Sequence, residues 1–348
     1  MKRVRTALVA FVPVLFAFAP TAPAQPAPIV LPDPSPKASV SQNVGLAEFK
    51  VTYHRPAVNK RKVWGELVPY GDVWRAGANE NTTLFASKPF TFGGKAVPAG
   101  TYGLHVLPAE GDWTVILSSQ SKAWGSFTYE QKEDVARVGA KPEPADFVER
   151  LAFSFDEPTN DATALALRWE KIRVAVPITI DAKQVTLESI RDQLRGLPRF
   201  SWQGWNQAAA WCARNNVTTD EAMAWADHSL SMQKSFANLR TKALLLEKKG
   251  DAKTAAALRA EAMPLATEAD INNLGYQLLG EGKNAEALEF FRKNTKDHPQ
   301  SWNVWDSLAE GLEKSGDKKG AREYYQKALG MCPENQKKRL NDTIARLR

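Results

Sequence analysis

Cysteine and histidine are scarce in this chain, and their scarcity argues against several kinds of site. Two cysteines and four histidines occur among 348 residues. Cys212 and Cys332 are expected to be buried helix residues that pack as small apolar groups. No H-x-H, H-x3-H or E-x2-H pair occurs, and the cysteines stand at no ligand spacing from a histidine. The sequence therefore predicts no metal site.

Motifs of common enzyme classes are also missing. No glycine-rich phosphate loop opens a helix and strands do not alternate with helices, which excludes nucleotide-binding α/β folds. No G-x-S-x-G nucleophile motif occurs, and Gly125-Ser126 lacks its context. The formal charge of +7 includes three basic residues at the N-terminus, so the remainder is an ordinary solubility charge. We expect no cofactor and no nucleic-acid partner.

Long apolar runs are absent except near the N-terminus, where residues 1–24 have the pattern of a cleaved signal peptide. Basic residues precede an uncharged apolar run at 6–19, and Ala22 and Ala24 fit the cleavage position. The run is shorter than the ~20 residues that span a membrane, although an uncleaved anchor stays the alternative. We expect a Pro-rich linker at 25–36 and an exported protein, periplasmic or extracellular, with no membrane span after cleavage.

Residues 37–182 are predicted to form a β-rich domain. Apolar and polar residues alternate with a period of two, and Gly-Gly at 93–94 predicts a hairpin turn. Eight or so short strands, with turn residues every ~8–12 positions, indicate an antiparallel sandwich or barrel. The last three strands are expected at 151–155, 164–169 and 172–180.

A loop at 63–83 interrupts this pattern with aromatic, glycine and charged residues. Large aromatic side chains such as Trp64 are expected to be mainly buried. The polar side chains either satisfy one another or face a carbohydrate or another small ligand. The candidate ligand-binding residues are Asp72, Trp74, Arg75, Asn79 and Glu80. The carboxylates of Glu66, Asp72 and Glu80 leave open an alternative, a hydrolase acting on carbohydrate or peptide, but no catalytic residue is assigned.

Three stretches of this domain resemble the family called domain of unknown function 2911. They are SPKASVSQNVG from Ser35, VWGELVPYGDVWRAGANE from Val63, and PAGTYGLH from Pro98, the last ahead of WTVIL. The resemblance covers about residues 35–181. It implies an exported β-rich domain, and the family offers no established activity or catalytic residues to transfer.

After a helical linker at 183–201, residues 202–348 have helical periodicity, and two units at the C-terminal end of this region repeat after 34 positions. The repeated residues are Leu274, Gly275, Gly282, Ala287 and Phe291, matched by Leu308, Ala309, Gly316, Ala321 and Tyr325. This L-G-x2-L-x3-G-x4-A-x3-F pattern resembles tetratricopeptide repeats. The resemblance is clear at 268–301 and 302–335, partial at 236–267, and degenerate at 202–235. Glycines 282 and 316 are expected in the left-handed conformation at hairpin turns, and a C-terminal helix caps the array.

Stacked hairpins of this kind form a groove lined by the first helix of each unit. The spacing places eight residues in it: Arg240, Asn272, Asn273, Tyr276, Asn303, Asp306, Glu310 and Lys314. This set lacks paired basic residues, so the terminal carboxylate of a peptide is not assigned as its ligand. The sequence thus favours a multidomain β plus α protein, exported and non-enzymatic, which contacts a protein or peptide through its repeats. A spacer or a dimerisation surface is the alternative role for the repeats.

Overall fold

A computed structural model describes residues 31–217 and 219–347. Among these residues, ten β-strands precede ten α-helices. The strands are β1 Lys37–Val44, β2 Ala47–His54, β3 Thr83–Ala86, β4 Phe90–Phe92, β5 Lys95–Val97, β6 Gly100–Leu107, β7 Trp113–Ser118, β8 Asp134–Ala140, β9 Pro142–Asp156 and β10 Ala162–Thr179.

The strands form two antiparallel sheets that enclose one hydrophobic core. One sheet has the order β1-β2-β3-β6-β7-β8, and the other has the order β5-β4-β10-β9. Side chains alternate as the sequence predicts: in β2, Phe49 and Val51 are buried whereas Glu48 and Lys50 are exposed. Residues of both sheets meet in the core, among them Phe49, Phe92, Leu104, Leu151 and Trp169. The predicted antiparallel β domain is confirmed, and of the two expected forms, sandwich or barrel, it has two separate sheets.

The last strands differ from the prediction in one respect. The two strands expected at 164–169 and 172–180 are a single strand, β10, which pairs with β9 along most of its length. The pairing register shifts at Glu170, whose φ of 56° is left-handed. The gap expected between these strands, Glu170-Lys171, is therefore a bulge inside one strand.

The helices follow directly after β10. They are α1 Ala182–Gln193, α2 Trp202–Asn215, α3 Thr219–Met232, α4 Phe236–Lys248, α5 Ala252–Ala262, α6 Glu268–Gly280, α7 Asn284–Asp297, α8 Trp302–Lys314, α9 Lys318–Met331 and α10 Glu334–Arg346. Helices α2 to α9 pack as four successive hairpins, and α10 packs on α9.

Sequence-local features define the ends of these hairpins. Gly282 and Gly316 have φ of 74° and 89°, so the predicted left-handed glycines at the turns are confirmed. Ser235 caps α4 and Thr267 caps α6, each with a reciprocal capping box. The fold class predicted for this half, a set of helical hairpins after the β domain, is confirmed.

The predicted signal peptide at 1–24 lies outside the described residues. The end of the expected linker is held on the β domain rather than extended into solvent. The carbonyl of Pro34 accepts a hydrogen bond from Arg150, and that of Pro36 accepts one from the Arg55 N–H. Among residues 31–217 and 219–347, no helix is long and apolar enough to cross a membrane. Cys212 and Cys332 are both buried, and they belong to two separate apolar clusters.

Candidate functional site

The tryptophans of the loop between β2 and β3 pack in the core of the β domain. The ring centroid of Trp64 lies 4.6 Å from that of Trp113, and that of Trp74 lies 5.7 Å from that of Trp169. Trp64 and Trp74 also contact each other edge to face. The indole N–H of Trp74 donates to the Gly77 carbonyl at 3.1 Å. These contacts leave Trp64 unable to offer a ring face to a sugar.

One side of this loop borders a groove of about 510 Å³. Three of the predicted residues line it, namely Asp72, Trp74 and Arg75. The other lining residues come from the loop and from the segment before β8: Leu67, Val68, Pro69, Val73, Ser126 and Phe127. The rings of Trp124 and Phe127 stack with centroids 6.1 Å apart, yet they are 61% and 78% exposed. Six of the nine lining residues are apolar, and a carboxylate, a hydroxyl and a guanidinium complete the walls.

Among the described residues, Arg75 forms no ion pair in this groove, although the Asp72 carboxylate lines it as well. Its side chain forms no ion pair and no hydrogen bond with any residue that the structure describes, and its Nε is buried. The guanidinium carbon lies 5.8 Å from the Trp124 ring centroid, a cation–π distance. Burial lowers the pKa of Arg75, but an arginine stays charged in proteins. A partly desolvated cation without a partner favours the binding of an anion.

His105 and Ser126 form a hydrogen-bonded pair at the same groove. His105 lies between the core residues Leu104 and Val106, so its side chain is on the opposite face of the sheet. Its Nδ1 is 2.9 Å from the Ser126 hydroxyl oxygen. Burial lowers the pKa of His105 to about 4, although the negative charge of Asp134 acts to raise it. The imidazole is therefore neutral at neutral pH, with one nitrogen protonated and the other an acceptor.

Asn79 and Glu80 contact a different set of residues. The Asn79 amide donates to the Asp33 carboxylate at 2.7 Å. A carboxylate oxygen of Glu80 lies 3.3 Å from Nδ1 of buried His54, and Nε2 of His54 lies 3.8 Å from Asp33. These contacts tie the segment before β1 to the loop. In the described part of the chain, no group of three or more His, Cys, Asp or Glu side chains is arranged to hold a metal ion.

The five predicted ligand-binding residues thus divide into two sets, one in the groove and one around His54. The third carboxylate of the hydrolase alternative, Glu66, pairs at 3.2 Å with Lys62, and both side chains are exposed. Glu66, Asp72 and Glu80 therefore have separate surroundings: a surface ion pair, the groove wall and a histidine contact. Retaining and inverting hydrolases both need two carboxylates that flank one bond.

In the helical half, a pocket of about 380 Å³ lies between the first helices of three consecutive hairpins, α2, α4 and α6. Two residues of the predicted groove, Arg240 and Asn273, line it. The remaining lining residues are Ala210, Arg214, Phe236, Ala237, Thr241, Leu244, Arg259, Asp270, Leu274 and Gln277.

The pocket lining is net basic: it contains three arginines and one carboxylate, Asp270, which accepts hydrogen bonds from Thr267. Arg259 pairs with Glu247, whereas the side chains of Arg214 and Arg240 form no ion pair or hydrogen bond with the residues described here. The Arg240 guanidinium lies 5.2 Å from the Phe236 ring centroid. Burial lowers the pKa of Arg240 and the positive charge of Arg259 lowers it further, whereas the more weakly acting carboxylates of Glu247 and Glu281 raise it. Two unpaired guanidinium groups thus line one pocket.

Most other residues of the predicted groove form hydrogen bonds or ion pairs with neighbouring side chains. The Tyr276 hydroxyl donates to Glu310 at 2.8 Å, and Glu310 lies 3.1 Å from Lys314. Burial raises the pKa of Tyr276, which keeps the phenol protonated. Asp306 accepts a hydrogen bond of 2.8 Å from Arg339 of α10. This end of the predicted groove is already neutralised from within the chain.

Three buried side-chain oxygens occur at one equivalent position in the first helices of three hairpins. The side-chain Oδ1 atoms of Asn206, Asn272 and Asp306 are buried and have no hydrogen-bond partner among the described residues. These residues each occupy the fifth position of their helices, α2, α6 and α8. Asn303, the last predicted groove residue, is half-buried at the second position of α8.

Sequence reasoning missed Arg214 because the first hairpin was too degenerate for its groove residues to be projected. The available signal was positional: Arg214 is the thirteenth residue of α2, as the predicted Lys314 is of α8. Arg214 also lines a second pocket of about 310 Å³ between α1 and α2. That pocket is largely apolar, with Ile190, Leu194 and Trp211 among its walls.

The chain thus combines a β-sandwich with a set of helical hairpins that contain a basic pocket. Residues 35–178 match the family model described as "Protein of unknown function (DUF2911)", which confirms the resemblance of the β domain. No curated protein matches the sequence.

Solved structures match the helical hairpins at low similarity. A Pseudomonas aeruginosa pilF structure is 17% identical over 43% of this chain and 68% of its own, with a TM-score of 0.29. YrrB, described as a TPR protein with an unusual peptide-binding site, is 18% identical over 43% and 78%, with a TM-score of 0.26. A MamA structure is 15% identical over 42% and 80%, with a TM-score of 0.28. At these scores the neighbours carry no argument about the site.

Proposed function

We propose that this chain is an exported binding protein whose helical hairpins hold an acidic segment of a protein partner. The carboxylate of that segment, from an Asp or Glu side chain or a chain terminus, lies between Arg214 and Arg240. The observation that carries this proposal is the pair of guanidinium groups without a carboxylate partner in one pocket.

The energetics favour an anionic ligand at this position. Desolvating a charge is unfavourable unless a counter-charge or hydrogen bonds compensate. Arg240 is half-buried against Phe236, and the positive charge of Arg259 nearby repels the positive charge of Arg240. A charge-assisted hydrogen bond contributes ~1.5–3 kcal/mol, which corresponds to roughly a tenfold or greater gain in affinity for each such bond.

The neighbouring surfaces suit the rest of a peptide. On the other side of Arg214, the pocket with Ile190 and Trp211 suits an apolar side chain. We therefore expect an acidic residue with an apolar residue close to it in the peptide sequence.

Selection from a displayed random peptide library tests this recognition. Wild-type protein should enrich peptides that contain an acidic residue with an apolar residue nearby. The double variant Arg214→Met, Arg240→Met should not enrich them, because both guanidinium groups are replaced by neutral side chains of similar length. Arg292→Met is the matched control, since Arg292 is exposed on α7 and lines neither pocket. Equal enrichment on all three proteins, or enrichment of basic peptides, would refute the proposal.

Export is part of the same proposal, and it is supported by the signal-like sequence of residues 1–24. Expression of the gene in a Gram-negative host followed by cell fractionation tests it. The periplasmic or secreted form should begin at Gln25 in N-terminal sequencing. Recovery of only the unprocessed chain in the cytoplasmic fraction would contradict it.

A further inference from the structure

We propose that the groove of the β domain binds a carboxylate carried on an aromatic group, with Arg75 as the partner of the carboxylate. This site is separate from the helical pocket and does not depend on the function proposed for it. The groove residues come from the loop after β2 and from the segment before β8.

Arg75 supplies the charge complementarity. The groups nearest its guanidinium are neutral or aromatic, namely the Trp124 ring and Gly125 beside Nη1, and its buried Nε has no hydrogen-bond partner among the described residues. The Asp72 carboxylate lines the same groove but forms no ion pair with Arg75. A guanidinium presents parallel N–H groups that match the two oxygens of a carboxylate. A bound carboxylate would therefore supply the hydrogen-bond acceptors and the ion-pair partner that Arg75 does not have among the described residues.

The walls of the groove determine what carries the carboxylate. Leu67 and Phe127 line it, and they are 40% and 78% exposed. Trp124, which stacks on Phe127, is also largely exposed. Exposed apolar side chains that cluster beside a cation indicate a binding surface for a flat apolar group. Aromatic rings are flat and stack on such surfaces with little loss of conformational freedom.

Ser126 and His105 supply a polar contact that can adapt to the ligand. His105 is neutral, and its Nδ1 lies 2.9 Å from the Ser126 oxygen. When Nδ1 is protonated it donates to Ser126, which leaves the Ser126 hydroxyl hydrogen available to the groove. A carboxylate accepts that hydrogen, so its binding selects this tautomer.

Asp72 restricts the ligand further. Its carboxylate lines the groove and is exposed, so it repels a second negative charge there. A monoanionic carboxylate fits better than a dianionic phosphate for this reason. The source of the carboxylate, a free aromatic acid or the C-terminus of a peptide that ends in an aromatic residue, is resolved by the choice of probes.

The first experiment uses the unaltered chain and matched probes in calorimetric titrations at neutral pH. N-acetylphenylalanine should bind at least tenfold more tightly than N-acetylphenylalaninamide, which has the same ring but no charge. Phenyl phosphate should bind more weakly than phenylacetate. Equal binding of acid and amide, or no binding of any acid at millimolar concentration, overturns the proposal. Tight binding of Gly-Gly-Phe with weak binding of phenylacetate would identify a peptide terminus as the source.

Variants then locate the site. Arg75→Gln should weaken binding of N-acetylphenylalanine at least tenfold, whereas Asp72→Asn should strengthen it severalfold. Lys122→Gln is the matched control: Lys122 is an exposed cation in the segment of Trp124 and Phe127, and it does not line the groove. If Arg75→Gln does not fold, the Asp72→Asn result and the acid–amide comparison still decide. An unchanged affinity in Arg75→Gln, or no increase in Asp72→Asn, contradicts the assignment.

Discussion

Gly275 lies in α6 where the helix approaches the side chain of Phe291. A Cβ atom at position 275 would be 2.4 Å from a ring carbon of Phe291, and one at Gly311 would be 2.9 Å from the same ring. Phe291 is fully buried. One aromatic ring therefore packs against two glycines from successive hairpins. The contact with Gly275 explains why this repeat position, which Ala309 occupies in the next hairpin, needs a small residue.

We predict that Gly275→Ala destabilises the helical half by about 1–3 kcal/mol, because the added methyl group forces the Phe291 ring to move. Urea unfolding followed by circular dichroism at 222 nm measures the change. Gly280→Ala in the same helix is the control, since its Cβ would have no neighbour within 4 Å. That variant should be neutral or stabilised by up to ~1 kcal/mol. Equal effects of the two substitutions would contradict the packing argument.

Individual site residues were harder to predict from the sequence than the repeats were. The loop composition pointed to Arg75 because aromatic, glycine and charged residues are adjacent there. The same reasoning grouped Asn79 and Glu80 with it, whereas these residues contact Asp33 and His54. Local composition indicates that polar groups need partners, but only the folded arrangement of distant strands decides which partners they have.

At the scale of elements, the β9–β10 hairpin is held by a cluster of charges. Burial tends to raise the pKa of Asp156, but hydrogen bonds from Arg168, Ser154 and Arg173 outweigh it and lower the pKa to about 2. The Asp156 carboxylate accepts bonds of 2.6 Å from Arg168 and 2.9 Å from Arg173. Glu143 binds the other side of Arg173 at 2.7 Å.

This cluster predicts a defined pH dependence. Because the pKa of Asp156 is lower in the folded than in the unfolded state, its stabilising effect is complete above about pH 4 and is lost as the pH falls toward 2. We expect Asp156→Asn to be less stable than wild type at pH 7 in urea unfolding. The difference should shrink between pH 4 and pH 2.

The more exposed Glu143→Gln provides a comparison for this experiment, and its effect at pH 7 should be smaller. A stability difference between Asp156→Asn and wild type that stays constant from pH 7 to pH 2 would show that the carboxylate charge is not responsible.

Elements with strong local signals were predicted well, and those that depend on distant partners were not. Strands β1, β2 and β6 have clear alternation, and glycines mark the hairpin turns. Strand β3 has only four residues, and it is stabilised between β2 and β6, which are distant in sequence from one another. The two charged residues at 170–171 separated two expected strands, whereas a bulge with Glu170 in the left-handed conformation lets one strand continue through them.

At the scale of the whole molecule, the chain has separate hydrophobic cores. One core fills the β-sandwich, and two further clusters fill the helical half. The buried residues of these clusters do not overlap. Such an arrangement predicts that each half loses its structure without unfolding the other.

Two buried phenylalanines test this independence. Phe92→Ala, in β4, should destabilise the β domain by about 3–5 kcal/mol, and Phe291→Ala should destabilise the helical half similarly. Hydrogen–deuterium exchange with mass spectrometry in mild urea should show faster exchange in residues 37–179 for the first variant. The second variant should show faster exchange in α6 to α9. Acceleration across both halves in either variant would mean that the two parts unfold as one unit.

The proposed binding function rests on the charges of the pocket between α2, α4 and α6. A double-mutant cycle tests this claim most directly. It compares two peptides, the tightest binder from the library selection and its Glu→Gln or Asp→Asn analogue. Each peptide is titrated into wild-type protein and into Arg240→Met. With wild-type protein, loss of the peptide carboxylate should weaken binding by about tenfold or more. With Arg240→Met the loss should be clearly smaller, because only the interaction of the carboxylate with Arg214 remains. An equal loss on both proteins would show that Arg240 does not bind the carboxylate.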